Sequence, residues 1–241
     1  MIILTGSKGF IGKKFLSALK KKGKEVVEVE KNDSWHWRQT FYRWKEVECI
    51  IHQGAMSSTT NTNLKQIFTF NIEFSEWLFE KAAKYEIPVK YASSASVYGN
   101  EQGIINPLNY YALSKVTTDY WVQDNMDRFP LIQGFRYFNV YGDGEDDKGN
   151  QASPVSKFAK EIEETGKLNL FEGSQDFLRD FICVDDIVRV VLDNKKGSGI
   201  YDLGTSAPVS FQHVAECCIK KYGGDIEYIP FPDHLKGKYQ I

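Results

Sequence analysis

The chain begins Met1-Ile2-Ile3-Leu4-Thr5-Gly6-Ser7-Lys8-Gly9-Phe10-Ile11-Gly12, an apolar run followed by glycines spaced G-x-x-G-x-x-G. Tight strand-to-helix turns use glycines generally, but this spacing directly after an apolar strand points to dinucleotide binding. Gly6 permits the tight turn, Gly9 lets the backbone approach a pyrophosphate, and Gly12 lets helix and strand pack closely. The N–H groups and dipole of the helix start then face the anionic diphosphate of a dinucleotide. The helix continues through Phe15, Leu16 and Leu19 at helical spacing and stops at Gly23. Glu25–Val29 reads as the second strand. Glu30 follows it, where an acid can bind the adenosine ribose hydroxyls. That argues for NAD, whereas Lys31, Arg38 or Arg43 could bind the extra phosphate of NADP.

The same rhythm continues. Strand-like runs occur at Val47–Ile51, Val89–Ala92 and Leu131–Phe138, and helix-like runs at Phe70–Ala83 and Tyr110–Asn125. This alternation predicts an α/β fold, a Rossmann-like parallel sheet with helices on both faces. From Tyr141 the rhythm loosens. Gly142–Asn150 reads as a loop and Ser156–Thr165 as a helix. Phe181–Val184, Ile200–Leu203 and Ile226–Ile229 read as strands, and Ser210 caps a helix to about Tyr222. We expect a dinucleotide-binding domain over 1–142. We expect 143–241 to add late sheet elements and a small C-terminal substrate lobe, one that could be truncated at Ile241.

Residues 31–46 are too few for the helix, strand and helix that normally follow the second strand. The sheet is therefore expected to lack one strand, leaving Glu25–Val29 at its edge. Trp35, Trp37, Phe41, Tyr42 and Trp44 crowd this segment. A helix starting at Asp33 or Ser34 would place Trp37, Phe41 and Trp44 on one face to cover that edge or the adjacent sheet face. Its basic residues would point to solvent or to the adenine end of a cofactor.

Composition narrows the class of function. With 30 basic and 32 acidic side chains and a formal charge of −2, the 241 residues set up no field for nucleic acid. No apolar run reaches the ~20 residues that span a bilayer, and the N-terminus lacks signal-peptide features. We expect a cytoplasmic protein with no membrane partner. Cys49, Cys183, Cys217 and Cys218 have neither C-x-x-C nor zinc spacing. They read as buried free thiols, and no metal site is expected.

Tyr111-Ala112-Leu113-Ser114-Lys115 sets tyrosine and lysine four residues apart on one helical face. A tyrosine with a pKa near ~10 is a poor base at neutral pH. A nearby ammonium and an oxidised nicotinamide both favour the phenolate, which can take a proton from a sugar hydroxyl as hydride leaves. The run Ser93-Ser94-Ala95-Ser96 ends a strand on the ligand side of the sheet, and a serine there can bond the reacting oxygen.

With these motifs the chain resembles the extended short-chain dehydrogenase/reductases, and more narrowly the ADP-L-glycero-D-manno-heptose 6-epimerases. The similarity extends through His52–Thr60, Tyr91–Ser94, Phe135–Gly142, Phe171–Ser174, Arg179–Phe181, Tyr228–Asp233 and Leu235–Gln240. The resemblance implies epimerisation at C6″ of an ADP-heptose, with one tightly bound NADP or NAD per subunit of a homo-oligomer. Another sugar-nucleotide 4-epimerisation or dehydration, or nucleotide binding without catalysis, is the alternative. By the resemblance, Ser94, Tyr111 and Lys115 are catalytic, and Lys148 is a second acid/base. Gly6, Gly9, Phe10, Ile11, Gly12, Glu30, Lys31, His52, Gln53, Gly54, Ala55, Met56, Asn71 and Val140 would line the cofactor, together with Tyr111 and Lys115. Ser57, Asn139, Asn150, Lys157, Phe171, Glu172, Gly173, Ser174, Arg179 and Tyr239 would contact the substrate.

Overall fold

A strand buried on both faces must be apolar throughout, and Ile2–Thr5 (β1) has no exposed residue. The computed structural model describes residues 1–100 and 103–232. The later strands are Val26–Val29 (β2), Cys49–His52 (β3), Val89–Ser94 (β4), Ile132–Tyr137 (β5), Asn139–Tyr141 (β6) and Lys167–Phe171 (β7). Leu178–Arg179 (β8), Phe181–Cys183 (β9), Gly199–Leu203 (β10), Val209–Ser210 (β11) and Asp225–Ile229 (β12) complete them. The α-helices are Phe10–Lys21 (α1), Ser34–Thr40 (α2), Leu64–Ile67 (α3), Phe74–Lys84 (α4), Tyr110–Asn125 (α5), Pro154–Thr165 (α6), Val184–Asp193 (α7) and Phe211–Tyr222 (α8). A π-helical turn, Phe68–Glu73, joins α3 to α4.

The chain divides into two compact units. The first holds residues 1–137 and 185–203; the second holds 138–184 and 204–241. In the first, a six-stranded sheet runs in the order β10-β5-β4-β3-β1-β2, with every pairing parallel. The strand ends on its carboxyl side carry Thr5, Val29, His52, Ser94 and Tyr137, the side on which such sheets bind ligands. In the second unit, three two-stranded pairs (β6 with β9, β7 with β12, β8 with β11) surround α6 and α8. Its core is Ile162, Leu168, Leu170, Phe181, Phe211, Val214 and Ala215.

β2 is an edge of the sheet, so the shortened segment after it supplies no further strand. α2 begins at Ser34, as the sequence predicts, and its Trp37 and Phe41 pack with Trp44, Trp77 and Tyr85 against the core that contains Met1, Ile3 and Val29. Trp44 is the centre, with ring centroids 4.9 Å from Phe41, 5.6 Å from Trp37, 5.8 Å from Trp77 and 5.9 Å from Tyr85. The aromatic face thus covers the adjacent sheet face beside α4. Of the basic residues expected to point outward, Arg38 instead lies between the rings of Trp35 and Trp77, whereas Arg43 stays at the surface in ion pairs with Glu25 and Glu46. All four cysteines are free, but only Cys218 is buried. Cys217 is exposed on α8, a correction to the expectation of four buried thiols. Among the described residues, no helix is long and apolar enough to cross a membrane.

Candidate active site

The glycine turn has the shape the sequence requires. Gly6 adopts a φ of +69°, and a Cβ there would lie 2.7 Å from the Cα of Gly54. A Cβ on Gly12 would lie 1.9 Å from the Gly6 carbonyl oxygen. Both positions therefore exclude any side chain. Gly9 is the N-cap of α1 and makes no side-chain capping bond, so the helix start is not closed by its own cap. Glu30 bends back onto the turn: its Oε1 accepts from Ser7 Oγ at 2.7 Å and from the Lys8 N–H at 2.9 Å. Lys31 lies exposed, with its ammonium 4.8 Å from the centre of the Phe70 ring.

Beside the turn runs the segment Gln53–Ser57, held from behind. The His52 ring is buried, with Nδ1 2.7 Å from Thr5 Oγ1 and Nε2 2.8 Å from Ser75 Oγ. Burial, with the Lys115 ammonium nearby, pushes its pKa down to about 3, so the ring is neutral. Buried Asn71 grips the backbone of Met56 twice, accepting from its N–H at 2.7 Å and donating to its carbonyl at 3.1 Å, and donates to Ser114 Oγ. The sequence expectation set His52 and Asn71 against the cofactor. The structure uses both side chains in hydrogen bonds within the protein, where they brace the segment Gln53–Ser57. Ala55 and Met56 are half-buried and Ser57 is exposed. The amide Oε1 of Gln53 accepts from Tyr137 Oη at 3.1 Å, while its buried Nε2 has no partner among the described residues. Buried Ser96 Oγ is likewise unpartnered. Unsatisfied buried donors of this kind are costly unless a ligand meets them. Together with the side-chain-free turn, they fit a dinucleotide.

The sequence-predicted catalytic trio converges in this first unit. Asn109 caps α5 by accepting from the Ala112 N–H at 2.9 Å, which sets Tyr111 in the first turn and Lys115 one turn later. Tyr111 hydrogen-bonds the Ser94 side chain at the end of β4. Lys115 Nζ donates to the Ala92 carbonyl at 2.7 Å and lies 5.8 Å from the centre of the Tyr111 ring. Burial pushes the Lys115 pKa down to about 8, against the pull of Asp119. Burial raises the Tyr111 hydroxyl, and the Ser94 bond offsets this only in part. Burial thus works against the phenolate that Lys115 and an oxidised nicotinamide together are expected to favour.

Asp119 is the residue that sequence reasoning missed, although its spacing of four from Lys115 places it on the same face of α5. It is buried and accepts from Tyr91 Oη at 2.9 Å, Ser93 Oγ at 3.0 Å and Arg136 Nε at 2.9 Å. Arg136 also donates to Tyr98 Oη, which donates to Asp202. This network ties α5 to β4, β5 and β10, and so fixes Tyr111 and Lys115 relative to Ser94.

Phe10 and Ile11 open α1 and are half-buried, and most of the remaining expected residues lie in the second unit. Asn139 Nδ2 donates to the Asp180 carbonyl at 3.1 Å, and Val140 follows it in β6. Lys148 lies in a short 3-10 turn with Nζ 3.1 Å from Glu145 Oε2. Lys157 is exposed on α6. Phe171 stacks edge-on to Phe231, and Glu172 donates its N–H to Ile229. Gly173 has a φ of +81°, and buried Ser174 Oγ has no partner among the described residues. Arg179 Nη1 donates to the Leu178 carbonyl. The side chain of Asn150, and Tyr239 altogether, lie outside the described residues.

Comparison with known proteins gives this geometry a family. The chain is 37% identical to the ADP-L-glycero-D-manno-heptose-6-epimerase of Alkalilimnicola ehrlichii, covering all of this chain and 87% of that one. The enzyme of that name from Brachyspira hyodysenteriae matches with the same identity and coverage. Both alignments run over 278 residues against 241 here, so these relatives carry internal residues that this chain lacks. The crystal structure of ADP-L-glycero-D-manno-heptose-6-epimerase from Helicobacter pylori superposes with a TM-score of 0.84 at 26% identity, over 95% of this chain and 84% of that one. The model of the NAD dependent epimerase/dehydratase family matches residues 2–204, and the chain belongs to that family.

Proposed function

We propose that the protein inverts C6″ of ADP-D-glycero-D-manno-heptose to give ADP-L-glycero-D-manno-heptose, the step that supplies this heptose for cell-surface lipopolysaccharide. The observation that carries the reading is the cluster of Ser94, Tyr111 and Lys115 at the carboxyl end of the sheet that bears the glycine turn, in a chain 37% identical to enzymes of that name. When bound, a nicotinamide dinucleotide supplies the hydride acceptor and returns the hydride.

The chain's own residues do the rest. The turn Gly6–Gly12 and the start of α1 take the diphosphate, and Glu30 accepts the ribose hydroxyls. NAD is favoured over NADP because Glu30, held at the end of β2 by Ser7 and Lys8, puts a carboxylate where the extra phosphate would sit. Ser94 bonds the reacting oxygen, and Tyr111 exchanges the hydroxyl proton on one face of C6″. Oxidation makes that carbon a planar ketone. When the ketone turns over, its oxygen lies on the opposite side, where Lys148 serves as the second acid/base. Asn139, Asn150, Lys157, Phe171–Ser174, Arg179 and Tyr239, with Ser57, hold the ADP-sugar. The unpartnered Ser174 hydroxyl supports that assignment. The expected setting is the cytoplasm, as a homo-oligomer.

The test is to incubate the protein with either ADP-heptose epimer and resolve the two products by chromatography. A mixture of both epimers is expected. No interconversion, with NAD(H) and NADP(H) supplied, would overturn the proposal.

A further inference from the structure

The loop that carries Lys148 is built around one carboxylate. Glu145 is 2% exposed, and all four of its hydrogen-bond positions are filled. Oε1 accepts from the Gly142 N–H at 3.1 Å and from Ser153 Oγ at 2.7 Å. Oε2 accepts from the Ser153 N–H at 2.7 Å and from Lys148 Nζ at 3.1 Å. Ser153 Oγ in turn accepts from the Ser156 N–H as the cap of α6, so its own hydrogen points at Glu145. Every partner donates, which is the arrangement an ionised carboxylate requires. The backbone between these partners is irregular: Gly142, Gly144 and Gly149 have φ of +146°, +99° and +49°. Such a loop has no ladder of its own, and Glu145 replaces it by tying both ends to the start of α6. The Lys148 ammonium is the charged donor in the set.

We propose that Glu145 is a positioning residue: it fixes the Lys148 ammonium for proton transfer on the second face of the substrate. The proposal rests on the reading of Lys148 as second acid/base given above. Glu145 touches neither substrate nor cofactor in this scheme and acts only through Lys148. Its loss therefore harms one direction of chemistry and spares the face served by Tyr111, whereas simple loosening of the fold harms both.

The experiment uses the full-length holoenzyme in single turnover, following reduction of bound nicotinamide by its near-ultraviolet absorbance, with each ADP-heptose epimer in turn. In E145Q, reduction by the epimer that Lys148 deprotonates is expected to slow by about tenfold to hundredfold, the scale of a misplaced catalytic group. Reduction by the other epimer stays near the wild-type rate. In a Lys148→Met background, E145Q adds no further loss. Glu145→Asp, which keeps the charge but draws it back by one methylene, must show the same asymmetry and serves if E145Q does not fold. Ser153→Ala, which removes a tie to α6 but leaves the Lys148 contact, shifts both epimers equally. Equal slowing of both epimers in E145Q, additivity with Lys148→Met, or asymmetry in Ser153→Ala overturns the proposal while leaving the epimerase reading intact. A wild-type protein that interconverts neither epimer overturns both.

Discussion

Acidification offers a direct test of how the segment after β3 is held, because one histidine cannot accept a second proton without disturbing its support. The Gly54 N–H donates to Thr5 Oγ1 at 2.9 Å, so the Thr5 hydrogen is directed to His52 Nδ1. Ser75 Oγ gives its hydrogen to the Asn71 carbonyl at 2.7 Å, so it accepts from His52 Nε2–H. The tautomer is thereby set, and a proton on Nδ1 would face the hydroxyl that now donates to it. Burial and the Lys115 ammonium both oppose that proton, and the pKa lies at about 3 rather than 6.5. The folded pKa is depressed. Between those two values the unfolded chain binds a proton that the native chain refuses, and stability falls as pH drops below about 6.5. The limiting slope is about 1.4 kcal/mol per pH unit, and the full effect is about 5 kcal/mol, reached near pH 3. Urea unfolding of wild type and His52→Gln from pH 8 to 4 measures it. At pH 7.5 the variant is less stable by about 1–3 kcal/mol for its lost hydrogen bonds. It loses less stability than wild type on going to pH 5, by about 2 kcal/mol. Parallel pH profiles for the two proteins would refute the argument.

Tyr111→Phe keeps bound nicotinamide, measured in the supernatant after acid denaturation, and loses epimerisation by ~10²–10⁴-fold; a variant with near-wild-type turnover would remove Tyr111 from the chemistry. Glu30→Ala weakens NAD binding by about tenfold or more in calorimetry, since hydrogen bonds to a charged group are worth about 1.5–3 kcal/mol, and narrows the preference for NAD over NADP; unchanged affinities would show that Glu30 does not read the ribose. Trp37→Ser with Trp44→Ser costs several kcal/mol in denaturant unfolding, as removal of a large buried aromatic costs ~3–5 kcal/mol each; a loss below about 1 kcal/mol would mean that the aromatic segment is not part of the core.

What could be read in advance follows from where each residue's partners lie in the chain. The parallel sheet, the edge position of β2 and the start of α2 at Ser34 rest on local patterns: apolar runs, glycine punctuation and a count of residues too small for another strand. The helix Val184–Asp193 was equally local, with Ile187, Val188 and Val191 buried on one face and Asp185 and Asp186 in its first turn. It was missed because β9 runs into it with no glycine or proline between. Strands of two or three residues, such as β6, β8 and β11, are too short to show a period. His52 and Asp119 were illegible as supports for a different reason. Their partners are remote: Thr5 lies 47 residues from His52, and Tyr91 lies 28 from Asp119. Glu145 sat in a polar, glycine-rich stretch that reads as solvated loop; only the convergence of Gly142, Ser153 and Lys148 buries it.

The shortened segment and the site bear on each other through the sheet order. Ser94 ends β4, Tyr111 and Lys115 project from α5 beside it, and the glycine turn follows β1; β3 and β1 lie between β4 and the edge strand β2. A strand beyond β2 would be the farthest from Ser94, Tyr111 and Lys115, so its absence leaves that cluster intact. What it does remove is cover for β2 and for the apolar face beneath it. The aromatic cluster restores that cover from residues adjacent in sequence, with Trp44 only 4% exposed, while Glu30 keeps its bonds to Ser7 and Lys8 at the end of the now outermost strand. The absence of an outer strand therefore leaves Glu30 in place at the end of β2, because its carboxylate is held by the glycine turn itself and needs no neighbour on its outer side.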